Sequence, residues 1–198
     1  TMIPKTDCQP KAFARSGAVT TFLLPPLSMV LERVWEDAIS GDLAGNLGQT
    51  MYRVLIGFGI AAASGVGLGI LIARSRVTRW FFDPIISVAF PMPKIAFLPI
   101  FILWFGIYSL SKILLVGFAC VFPILIGSFA AATGVNRVWI WSATSLGTSR
   151  LDMLFRIVLP AAWPRVFAAL RVALPVSLIT TFTAEMVSGG GGMGATLM

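Results

Sequence analysis

The chain has 198 residues, 57% of them hydrophobic and only 12% charged, against about 25% charged in soluble domains, so with a mean hydropathy of +0.89 its expected solvent is the bilayer. It has no histidine, the commonest metal ligand and general base, and its two cysteines, Cys8 and Cys120, are too few for a disulfide framework or a cysteine-rich zinc site, which excludes metal-dependent and histidine-based chemistry. The net charge of +7 does not point to nucleic acid, because Arg74, Arg76 and Arg79 directly follow an apolar run and Arg137, Arg150, Arg156 and Arg165 share one polar stretch, the pattern of cytoplasmic loops in a membrane protein.

Residues 1–50 read as a polar, external N-terminal segment, and residues 51–198 as the membrane domain. Within the first segment, the apolar stretch 17–31 is short and broken by Pro25 and Pro26, a poor spanning helix, and the residues before it lack the apolar core of a signal peptide. The first span is predicted over 54–73, a charge-free run long enough to cross the hydrocarbon core. Gly57, Ala61, Gly65 and Gly69 recur there every fourth residue, a small-residue face on which another helix can approach closely.

A second span, 84–106, is interrupted by Pro91, Pro93, Lys94 and Pro99. Proline removes helix hydrogen bonds, so this segment is expected to be kinked or unwound, which a membrane tolerates only beside protein or water. Pro91, Pro93 and Lys94 are therefore candidates for lining a passage. Lys94 is either a charge in that passage or a side chain reaching out from a helix end. A third span, 113–136, follows the short polar link from Tyr108 to Lys112. A fourth, 166–187, has Arg171 near its start and Glu185, a further passage candidate, near its end. The arginine clusters after the first and third spans place both loops in the cytoplasm.

Residues 136–165 form the more informative of these loops. Ser149 followed by Asp152 has the spacing of a helix N-cap, and Leu151, Leu154, Phe155 and Val158 recur at helical intervals until Pro160, which is expected to end the helix. The result is a short amphipathic helix after a turn at Gly147. Such a helix rests on lipid headgroups or enters a partner's groove.

Gly147, nine residues, Ile157, one residue, Leu159 and Pro160 resemble the G-x9-I-x-L-P part of the EAA loop of ABC importer permeases. Trp141, Ser142 and Ala143 then stand at the E-A-A positions, so a tryptophan replaces the motif glutamate and a serine the first alanine. The segments at 23–36, 91–116 and 183–194 are similar to the nitrate, sulfonate and taurine group of these permeases, and the likeness covers residues 22–198. The resemblance implies an all-α, polytopic transmembrane bundle of the type I ABC importer class, in the inner or plasma membrane. Members of the group carry spanning helices on both sides of this stretch, so the chain is expected to lack the first and the last.

The implied function is that of a permease subunit of an ATP-driven importer, forming the pathway for a small anion such as a sulfonate, taurine or nitrate. Its implied partners are cytoplasmic ATP-binding subunits, an extracytoplasmic substrate-binding protein, a second permease copy in a homodimer, and lipid, but no nucleic acid. The coupling residues are then Trp141, Ser142, Ala143, Leu146, Gly147, Leu151, Leu154, Ile157, Leu159 and Pro160. No cofactor is expected, and with no phosphate-binding G-x-x-x-x-G-K-[ST] loop the chain itself is not an enzyme. A passive channel or other non-ATP-coupled membrane transporter is the alternative, and a channel has no use for a proline-terminated amphipathic helix at this spacing. The rival from another class, an intramembrane enzyme, needs a Ser/Lys or Asp pair inside the membrane, and Asp83 has no second aspartate to work with.

Overall fold

The computed structural model describes residue 39 and residues 41–197. The readings for 1–38, among them the 17–31 stretch and the likeness at 23–36, lie outside those residues. The chain divides into two compact units, 1–44 and 45–198. Among the described residues the first contributes only residue 39, the bend at Gly41 and the opening residues of one helix. The second holds everything discussed below.

All regular structure among the described residues is helical: α1 (Asp42–Arg74), α2 (Arg76–Ala89), a 3-10 turn (Lys94–Phe97) leading into α3 (Leu98–Phe105), α4 (Ser109–Thr133), α5 (Arg137–Ser145), α6 (Arg150–Met153), a π turn (Leu154–Val158), α7 (Leu159–Ser188) and a final 3-10 turn (Ala195–Leu197). Three stretches are long and apolar enough to cross a membrane, namely α1, α4 and Leu151–Ser188; α2 with Lys94–Phe105 makes a fourth, bent by 91°. Arg53 and Arg74 bracket the uncharged part of α1, and Arg165 and Glu185 lie as far apart on α7. Twenty helical residues rise about 30 Å, the thickness of the hydrocarbon core.

The small-residue face of α1 packs on α4. A Cβ at Gly57 would stand 2.8 Å from Ile113 O, one at Gly65 3.0 Å from Val121 O, and one at Gly69 2.7 Å from Leu125 O. No methyl group fits between these backbones. Gly127 of α4 meets Ala169 of α7 in the same way, and Ala61, Val116, Cys120, Ile124 and Ala173 form the core among the three helices. Without a hydrophobic driving force between helices in lipid, such close backbone approach supplies the packing energy.

Two expectations are corrected. Lys112 does not lie in a link but in the first turn of α4, fully buried, because the helix starts at Ser109 and turns this side chain toward α7. Pro160 does not end the amphipathic helix either. The backbone widens to a π turn over Leu154–Val158, where Leu159 N bonds to Leu154 O, and then continues as α7. The wider turn relieves the clash a proline ring makes with the carbonyl four residues before it, and Pro160 has no N–H to lose.

Candidate functional site

The loop at the arginine-rich end is built from local bonds. Asn136 caps α5 by accepting from Val138 N at 2.9 Å. At the other end of α5, Gly147 N donates to Thr144 O at 3.0 Å and Thr148 N to Ala143 O at 3.1 Å. That paired closure requires a left-handed residue, and Gly147 has φ +75°. Ser149 Oγ then accepts from Asp152 N at 3.1 Å and donates to the Asp152 carboxylate at 2.7 Å, which opens α6.

The loop has two faces. Ile140, Met153 and Leu154 pack on the buried cluster of Ala131, Val135, Val158, Ala162 and Val166, so the inner face is anchored to α4 and α7. On the other face Trp141 is 65% exposed, Leu146 84%, Leu151 68% and Phe155 65%. Of the ten coupling candidates, then, Trp141, Leu146 and Leu151 offer apolar surface outward, with Ser142, Gly147 and Pro160 also exposed. Ala143 is buried, and Leu154, Ile157 and Leu159 are half-buried in the loop's own support. Phe155 was legible in the helical periodicity and belongs to the outward face.

Pro91 and Pro93 stand exposed at the break between α2 and the 3-10 turn, and Pro93 holds the extended backbone from which Lys94 starts the turn. Lys94 Nζ donates to the Phe90 carbonyl and lies 5.2 Å from the Phe90 ring centroid and 5.6 Å from that of Phe122.

At the end opposite the arginine-rich loops, Glu185 is wholly buried. It accepts from Arg53 Nη1 at 2.7 Å, from Thr50 Oγ1 at 2.9 Å and from Gly194 N at 3.0 Å. Arg53 also donates to Gly191 O at 2.8 Å, Gly190 O at 3.2 Å and Ser109 Oγ at 3.1 Å, and Lys112 Nζ donates to Gly189 O. Gly189, Gly190, Gly191 and Gly192 all have positive φ, and three successive carbonyls of this turn accept from two cations, of which Arg53 is paired with Glu185. The sequence reading missed this clasp. Its signal was available: Asn46, Gln49, Thr50 and Arg53 are polar at i, i+3, i+4 and i+7, one face of a helix entering an apolar run.

Residues 65–198 match the model of the binding-protein-dependent transport system inner membrane component family. The chain belongs to this family. It is accordingly an inner-membrane component that crosses the bilayer several times. The chain is 33% identical over 181 residues to the taurine transport system permease protein TauC of Escherichia coli (strain K12), covering 89% of this chain and 66% of that one. It is 32% identical over 145 residues to the nitrate import permease protein NrtB of Leptolyngbya laminosa, covering 73% and 52%. The chain thus spans somewhat under two thirds of the first relative and about half of the second. Its fold is similar to a chain of the methionine ABC transporter MetNI in an inward-facing conformation, with a TM-score of 0.68 at 17% identity over 77% of this chain and 76% of that one.

Proposed function

We propose that this permease lines the pathway of an ATP-driven importer of a small anion, such as a sulfonate, taurine or nitrate, and takes its energy through the 136–165 loop from separate cytoplasmic ATP-binding subunits. An extracytoplasmic binding protein delivers the solute, and a second copy of the permease completes the passage. The observation that carries the reading is the outward apolar face of Trp141, Leu146, Leu151 and Phe155 on a loop whose other face is anchored in the spans. Lipid alone would accept such a face, but the family likeness extends through the whole loop. A tryptophan at the motif's glutamate position makes this docking apolar rather than ionic. The π turn links the loop to α7 without a break, so a force on the loop is passed to a spanning helix.

A matched pair of substitutions tests the coupling. A side chain at Gly147 meets nothing within 4 Å inside the chain, but it does force a left-handed backbone, at about 1–2 kcal/mol. Gly147→Ala carries that strain alone, whereas Gly147→Trp adds bulk where the ATP-binding subunit is expected to approach. Trp should therefore weaken ATPase co-purification by about a hundredfold relative to Ala at equal membrane insertion, which corresponds to about 3 kcal/mol. If both variants retain the ATPase and import at the wild-type rate, the coupling assignment is wrong.

A further inference from the structure

We infer that Lys94 is the residue through which this permease reads the negative charge of its solute, an assignment that rests on the proposed function above. The argument begins with depth. Phe122, whose ring lies 5.6 Å from the Lys94 ammonium group, is ten residues along α4 from Lys112 in the charged layer at one end and eleven from Thr133, the last residue of the helix, at the other. At 1.5 Å per residue that puts the ammonium group about 15 Å inside the polar layer, near the middle of the core. A lysine side chain reaches less than half that distance, so Lys94 cannot snorkel to either surface. It is also partly exposed, on a segment that bends by 91° and leaves the backbone between Phe90 and Pro93 outside any helix. Exposed irregular backbone and a cation at this depth do not face lipid; they face protein or water.

Among the described residues no carboxylate pairs with it. Glu185 is taken by Arg53 and Thr50 in the clasp, Asp83 pairs with Arg79, Asp152 pairs with Arg156 on the loop, and Asp42 lies at the far end of α1 beyond Arg53. The ammonium donates one hydrogen bond, to the Phe90 carbonyl, and rests beside the faces of Phe90 and Phe122, which leaves two N–H donors for a ligand. Two free donors on a positive charge, at a helix break near mid-membrane, fit one or two oxygens of a small sulfonate or nitrate. The aromatic faces keep the cation in place while the passage is empty.

The test compares Lys94→Gln, which keeps a donor but removes the charge, with Lys94→Arg, which keeps the charge. Each is assembled with its ATPase and binding protein in proteoliposomes and supplied with methanesulfonate, taurine or nitrate. Lys94→Gln should raise KM for uptake about tenfold to a hundredfold, with ATPase co-purification and melting temperature unchanged, and Lys94→Arg should restore most of the loss. Uptake by Lys94→Gln within about twofold of wild type overturns the inference. So does a melting temperature lowered equally in both variants, which would make Lys94 a packing residue. Wild-type uptake confined to a neutral or cationic solute overturns it too, while leaving the permease reading intact. A wild-type chain that binds no ATPase overturns the permease reading itself, and this inference with it.

Discussion

Glu185→Gln should destabilise the chain more than Arg53→Gln, and charge balance is the reason. In the wild type the buried cluster holds Arg53, Lys112 and the single carboxylate of Glu185, a net charge of one positive. Neutralising Glu185 leaves two cations buried without an anion, and the single amide N–H₂ of the glutamine either faces the guanidinium or takes the acceptor from Thr50 and Gly194 N. Removing one partner of a buried ion pair costs about 3–5 kcal/mol, and the second cation puts this case at the upper end. Neutralising Arg53 instead leaves Glu185 with Thr50, with Gly194 N and with the charge of Lys112, a balanced set. Its cost should be about 2 kcal/mol, because the carbonyls of Gly190 and Gly191 sit at the rim, where water can replace the lost donor. The double variant should cost less than the two singles combined. Unfolding in detergent followed by tryptophan fluorescence measures all three. If Arg53→Gln proves the more damaging, or the double variant is additive, the glycine-turn carbonyls rather than the carboxylate hold the cluster together.

The α1–α4 contact offers a matched pair. Gly69→Ala should cost about 1–3 kcal/mol, since its Cβ would meet Leu125 O and the backbone cannot retreat, whereas Gly67→Ala, with nothing within 4 Å, should be neutral or stabilising by helix propensity. Equal melting temperatures for the two would refute the close packing. Orientation is checked by labelling from outside the cell. A cysteine at the exposed Tyr108 should react with an impermeant thiol reagent, while one at the equally exposed Val77 should not, and the reverse pattern would invert the topology.

Membrane residence and the uncharged runs of the first and third spans could be read from the chain alone, because the cost of placing a residue in hydrocarbon is a property of that residue and adds along a run. The Gly147 closure and the Ser149–Asp152 cap were legible as well, since each is completed by bonds within about five residues. Arg53 and Glu185 were visible only as charges at the ends of apolar runs. They lie 132 residues apart, and that they neutralise each other follows from α1 running parallel and α7 antiparallel to α4, where glycine and alanine faces let the backbones close. Pro160 read as a stop because proline breaks an isolated helix. Only in the packed structure does Val158, buried on Ala162 and Val166, hold the chain in line while the π turn absorbs the missing bond. The same is true of Lys94: its sequence neighbours are prolines, and the depth that gives its charge a meaning comes from Phe122 on another helix.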